Sequence, residues 1–222
     1  MTPADPRKLV ILGGRGNGAV VASTVEDLND ARPSYDIVGF VNDGSEAEVN
    51  GYPVLGALTE STVRPLLDDP DVDFFWSLVS VKLGAEFQQR LRALQIPPER
   101  FATIIHPTAV VSRFAHVGHG VAIQPLAHVG PNVRIHDHVH VFAQAMIGHD
   151  AVLEDFSYVA NNACIGAGVH LREGAYVGTN ATTIEHIELG AWSLVGMGSV
   201  VLRSVAAQTK VAGNPAREIG RR

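Results

Sequence analysis

The chain has one cysteine in 222 residues, Cys164, which excludes a disulfide within it and suits a reducing compartment. Aromatic residues make up only 6% and charged residues 18%, which argues against an aromatic-packed sandwich. Acidic residues outnumber basic ones, the formal net charge is −6, and no Lys/Arg cluster stands out. No nucleic-acid partner is expected from such a balance. A long apolar run is missing too: the stretch near the start, Leu9 to Leu12, is too short for a signal-peptide core or a membrane span. The expectation is a soluble, cytoplasmic protein with no membrane partner. What is abundant is small and aliphatic: 22 glycines and 46% hydrophobic residues, enough for a core and too much for disorder.

The first hundred residues alternate strand and helix patterns. "KLVIL" is a buried-strand run that ends in "GGRGNG", and "AVVASTVEDLNDA" then reads as a helix. "YDIVGFVND" is a second strand, "NGYPVLG" a turn and short extended piece, "STVRPLLDD" a helix and "VDFFWSLVS" a third strand. "KLGAEFQQRLRALQ" carries Leu83, Phe87, Leu91 and Leu94 at helical steps. The pattern predicts an α/β, Rossmann-like domain over 1–100 with a parallel sheet, bounded by "IPPER" (Ile96 to Arg100).

From Ile104 the grammar changes to a period of six, as in "HVGPNV", "MIGHDA" and "CIGAGV". Seventeen hexads run without insertion to Val205; sixteen have Ile, Val or Leu second, and only Thr183 departs. The sixth position is always Ala, Val, Ser or Ile. If three hexads close one triangular coil, the second-position side chains point inward and stack on residues eighteen away. Coils then pair as parallel strands about 4.8 Å apart. An all-β helix over 101–222 is predicted.

This repeat resembles that of the hexapeptide-repeat acyltransferases, which form a left-handed parallel β-helix. "LVILGGRGNGAVV", "IVGFVND", "GYPVLG", "IIHPTAVVS" and "VAGNPAR" follow in the order seen in bacterial sugar acetyltransferases. The chain is most similar to the sialic acid O-acetyltransferases and the nucleotide-linked amino-sugar N-acetyltransferases. The resemblance implies acetyl-CoA as cosubstrate, a small-molecule acceptor, no metal, a homotrimer with sites between adjacent β-helices, and a setting in polysaccharide biosynthesis.

In that register a histidine followed by an acid, here His149 and Asp150, is the catalytic base with its orienting partner, and the N–H one coil on, Ala167, is the oxyanion donor. The chemistry agrees with this. An amine attacking a thioester must lose a proton, histidine titrates near neutral pH, and a carboxylate can hold its tautomer. The Gly14, Arg15, Gly16 and Asn17 loop, with Asn42 and Asp43 after the second strand, would bind the acceptor's nucleotide. Phe142, Gln144, Tyr158, Asn161 and Asn162 are candidate acceptor contacts. The closing loop of Gly213, Asn214, Pro215 and Arg217, with Lys210, would meet the CoA phosphates or merely cap the last coil. Some positions depart from the relatives: Asn17, Phe142 and Tyr158 stand where histidine, asparagine and histidine are common, and Val79-Ser80-Val81 replaces Gly-Asp-Asn. The donor side is thereby better marked than the acceptor side.

Other readings stay open. All ten histidines lie in the repeat, so most are ordinary surface groups. Cys164 sits at a first hexad position, where small residues pack. "RIHDHVH" lacks the histidine pair five apart that zinc-binding relatives use. An O-acetyltransferase, or an enzyme for another amine or hydroxyl, would carry the same base. The glycine loop read as G-x-G-x-x-A allows an NAD(P)-binding oxidoreductase, and a non-catalytic scaffold would keep the repeat for assembly alone.

Overall fold

The computed structural model describes residues 6–222, and the chain divides between Pro107 and Thr108 into two compact units. In the first, β1 (Arg7–Leu12) lies between β2 (Tyr35–Val41) and β5 (Val72–Trp76), parallel to both. Helix α1 (Asn17–Ala31) follows the glycine loop. The sheet is completed by β3 (Glu48–Val49) and β4 (Tyr52–Gly56), in the order β3-β4-β2-β1-β5. Only β3 runs antiparallel. Leu9 to Leu12 and Phe74 to Trp76 are buried, as continuous apolar runs in central parallel strands should be. Helix α2 (Glu60–Leu67) is capped by Thr59, whose side chain accepts from Thr62 N–H. Helix α3 (Gly84–Ala93) turns Leu91 inward and is followed by buried Leu94, whereas Leu83, at its N-cap, is exposed. This is the Rossmann-like unit that the alternation predicts. It runs past Arg100, because Phe101 bridges to Phe74 and Ala102 N–H donates to Phe74 O at 2.9 Å.

The second unit is a left-handed parallel β-helix with two-residue strands at the first and second positions of each hexad. One face stacks Val110–Val111, His128–Val129, Met146–Ile147, Cys164–Ile165, Thr182–Thr183 and Val200–Val201 in parallel. A second face begins at His116–Val117 and includes Val152–Leu153, and a third includes His140–Val141 and Tyr158–Val159. Every second-position residue from Ile123 to Val201 is buried. Each buried aliphatic in this column contributes roughly 1.5–3 kcal/mol. The column therefore holds the coils together.

The fifth position makes the turn. From Gly120 to Gly198 each fifth residue has φ between +56° and +68°. None of these residues is β-branched, since that region of backbone space is closed to such side chains. Thr183, the one polar second-position residue, is buried, and its Oγ1 accepts from Gly166 N–H at 2.9 Å. Its hydroxyl takes the place of the carbonyl that accepts the equivalent N–H of Gly130 and Gly148 on neighbouring coils. The final strands, Thr209–Gly213 and Ala216–Arg221, extend the third face as an antiparallel hairpin. Arg222 Nη1 donates back to Gly174 O at 3.0 Å, and its guanidinium lies over Trp192.

His138 is largely buried at one of these turns, stacked on Phe156 at 4.9 Å. Burial disfavours its imidazolium, outweighing nearby Asp137, and takes its pKa down to about 4. The unfolded chain, with an ordinary histidine pKa, binds the extra proton first. The stabilisation is complete above about pH 6.5 and is lost as pH falls toward 4, by about 3 kcal/mol in all. His138→Phe should flatten that loss, measured as urea midpoints from pH 7 to 4.

Candidate active site

The strand Met146–Ile147 ends in Gly148, and the chain then turns through His149 and Asp150. Asp150 occupies the fifth position with φ 59°, which an aspartate tolerates far better than a β-branched residue would. Its N–H donates to Pro131 O one coil below at 3.0 Å, and His149 O accepts from Gly168 N–H one coil above at 2.9 Å. The turn is thus held from both sides. His149 Nδ1 lies 2.6 Å from Asp150 Oδ2. A carboxylate only accepts, so Nδ1 carries the proton and Nε2 is the basic nitrogen. Asp150 Oδ1 accepts from Asn132 Nδ2 at 3.0 Å. The bond from His149, and after it that from Asn132, holds the Asp150 carboxyl below its ordinary pKa. Both side chains of the pair are more than half exposed, so the base is open to a substrate.

His149 borders an open groove of about 570 Å³ whose floor is a strip of third-position glycines, Gly130, Gly148 and Gly166. A Cβ on Gly148 would lie 2.6 Å from Ala167 N, and one on Gly130 would lie 2.9 Å from His149 N. At these glycines the missing side chains leave the groove floor open and the backbone of the next coil in close contact. Ala167 N–H makes no backbone hydrogen bond among the described residues. Met146, Cys164 and Ile184 give the walls an apolar character, and Glu185 stands beyond Ala167. Cys164 is half-buried and its thiol pKa is pushed up by that burial, as suits a packing residue. Among the described residues no group of three or more His, Cys, Asp or Glu side chains is placed to hold a metal ion.

Phe142, Gln144, Tyr158 and Asn161 do not line this groove. Phe142 and Tyr158 stand seven residues before and nine after the base, close to half of an eighteen-residue coil away. They belong to the third face, in a ladder where Phe142 meets Tyr158 at 4.7 Å and Tyr158 stacks on Tyr176 at 4.5 Å. Gln144 and Asn161 are exposed at the corner after that face.

In the first unit, Gly14 packs on the Asn42 side chain: a Cβ there would be 2.4 Å from Asn42 Nδ2. Gly16 is the N-cap of α1 at φ 84°, with open space around it, and Asn17 begins the helix. Arg15 pairs with Glu46 at 3.5 Å, and Asn42 Nδ2 reaches the same carboxylate at 3.4 Å. Glu46 was not marked by any motif, since it comes from the loop after β2. Asp43 differs from a free ribose acceptor. Its Oδ1 accepts from Leu58 N–H at 2.8 Å and its Oδ2 from Arg90 at 2.6 Å, and these bonds outweigh the opposing effect of burial to lower its pKa. Lys210 lies in the strand Thr209–Gly213, paired with Leu194, and Asn214–Pro215 forms the hairpin turn before Arg217.

The PglD N-terminal domain matches residues 8–78. The acetyltransferase domain of PglB from Neisseria gonorrhoeae FA1090 is 27% identical over 96% of this chain and 100% of its own, with a TM-score of 0.81. That likeness spans both the α/β unit and the β-helix that carries His149. Over nearly its whole length the chain is similar to a hexapeptide-repeat acetyltransferase. Two further structures share this fold. A variant of GDP-perosamine N-acetyltransferase from Caulobacter crescentus, in complex with CoA and GDP-perosamine, is 24% identical over 96% of this chain and 97% of its own, with a TM-score of 0.74. WeeI from Acinetobacter baumannii AYE is 22% identical over 96% and 100%, with a TM-score of 0.72. No curated protein sequence matches significantly. No helix among the described residues is long and apolar enough to cross a membrane.

Proposed function

We propose that the acetyltransferase moves an acetyl group from acetyl-CoA to the amino group of a nucleotide-linked amino sugar, with His149 as general base. The observation that carries this reading is the 2.6 Å bond from His149 Nδ1 to Asp150, which leaves Nε2 basic at the rim of the glycine-floored groove. The amine attacks the thioester carbonyl directly, without an acyl-enzyme, and its proton passes to His149 Nε2. Asp150 stabilises the imidazolium so formed, and the N–H of Ala167 meets the oxyanion. As the C–S bond breaks, His149 returns the proton to the leaving sulfur. Support for the donor comes from the PglB acetyltransferase domain, which has been captured with acetyl coenzyme A. Support for the acceptor comes from the GDP-perosamine in the Caulobacter enzyme.

In this reading Gly14, Arg15, Gly16 and Asn17 receive the nucleotide, with Asn42. Asp43 instead shapes the loop through Arg90 and Leu58. Lys210 and the Gly213 to Arg217 turn meet the CoA phosphates. The enzyme works as a homotrimer, in which Phe142, Gln144, Tyr158 and Asn161 reach the groove from a neighbouring copy, since none lines the groove of its own chain.

Thermal unfolding with acetyl-CoA, CoA and NADPH in parallel tests the class. Acetyl-CoA at a hundred times its Kd should add about 2.7 kcal/mol of stability. A shift with NADPH alone would return the glycine loop to an oxidoreductase role. Thiol release on adding UDP- or GDP-linked amino sugars then tests the acceptor, and acetyl ester formation instead of amide would make it an O-acetyltransferase.

A further inference from the structure

We infer that Asn132 is a positioning residue for the His149–Asp150 pair, an assignment that rests on His149 being the base. Asn132 stands eighteen residues before Asp150, at the fifth position one coil below, and the two share a left-handed backbone, φ 61° and 59°. The bond from Asp150 N–H to Pro131 O keeps the two turns in register. Asn132 Nδ2 donates to Asp150 Oδ1 at 3.0 Å, while Oδ2 accepts from His149 at 2.6 Å. A carboxylate tethered through one oxygen can swing about its Cβ–Cγ bond. Tethered through both, it has one plane, and the imidazole it holds has one orientation.

Backbone conformation alone does not account for this side chain. Asn162 and Asn180 occupy the same turn position with φ 57° and 59°, and their side chains make no hydrogen bond among the described residues. On the coil above, Gly168 has no side chain, and a Cβ there would lie 2.3 Å from His186 Nδ1. The His186 ring therefore occupies the next place in Asp150's column. The groups that face the carboxylate are His149, Asn132 and His186, all donors or potential cations. Glu185, the nearest acid lining the groove, belongs to the coil beyond Ala167.

The test compares Asn132→Gly with Asn180→Gly. Glycine is at ease in this backbone region, as at Gly120, Gly168, Gly174 and Gly198, so both variants keep the turn. With acetyl-CoA and the amino-sugar nucleotide that the wild type acetylates, Asn132→Gly is expected to lower kcat roughly 10-fold. That is less than the 10² that a 1 Å misplacement can cost. The KM for acetyl-CoA should not move. Imidazole ¹⁵N NMR, with the His149 signal assigned by its absence in His149→Ala, should show the Nδ1–H tautomer giving way to a mixture. Asn180→Gly should change neither reading. Asn132→Asp, which sets a second carboxylate against Asp150, should be slower still. Wild-type kcat with an undisturbed tautomer in Asn132→Gly would overturn the inference, as would equal losses in the two glycine variants. If no amino-sugar nucleotide is acetylated by the wild type, the proposed acceptor fails, and the NMR comparison alone still decides the role of Asn132.

Discussion

Replacing His149 by alanine is expected to lower acetyl transfer by roughly 10²- to 10⁴-fold, the usual worth of a positioned general base. The loss should fall on kcat. In the proposed reaction the imidazole acts when the amine gives up its proton, and it forms no part of the groove floor that would hold the pantetheine. The acetyl-CoA-induced rise in melting temperature should therefore survive. The fold should survive as well, because His149 is more than half exposed and its backbone contacts need no imidazole. Alanine at Asp150 should do less harm, since it removes the orienting group and leaves the base. Steady-state kinetics with the thermal shift measured alongside check both points. A His149→Ala enzyme that turns over normally would strip the residue of its role, and one that no longer responds to acetyl-CoA would mean that the side chain holds substrate.

Gly148→Ala is the second change expected to act strongly, through one added methyl group. Its Cβ would meet Ala167 N at 2.6 Å, Gly166 C at 2.8 Å and Ala167 Cα at 2.9 Å. All three are backbone atoms, so no side chain can swing aside, and the two coils must part. Overpacking of this kind costs about 1–3 kcal/mol. The functional effect should be larger in proportion, because the displaced elements are the residue before the proposed base and the proposed oxyanion N–H one coil on. Removing one such donor lowers kcat about 10²- to 10³-fold, and a loss near 10² is expected here. Denaturant melts and kcat at 25 °C, taken on the same preparation, separate the two effects. A stable, fully active Gly148→Ala protein would show that the Ala167 N–H takes no part in the reaction.

Much of the fold was legible because the repeat is periodic. A buried aliphatic every six residues, with eighteen to a coil, is visible in one sequence, and the structure places those side chains in a single buried column. The same arithmetic places Asn132 below Asp150 and Gly168 above it. That signal lies in the fifth positions, where no hydrophobic pattern marks it. Thr183, the single exception to the pattern, is explained by its hydroxyl, which accepts from Gly166 N–H. A side-chain bond to the next coil leaves no trace in hydrophobic pattern.

The linear order determined the two units, the hexad register, the turn at His149 and Asp150 and the glycines under it, because each depends on local periodicity and backbone preference. Only the tertiary structure decided which groups meet. It set both oxygens of Asp150 on donors, and it gave Asp43 to Arg90, 47 residues away, rather than leaving it free beside the glycine loop. It also turned Phe142 and Tyr158 to a face that their own His149 does not share. Those outcomes rest on hydrogen bonds and close approaches between segments far apart in the chain, and no periodicity records which distant donor a carboxylate will find.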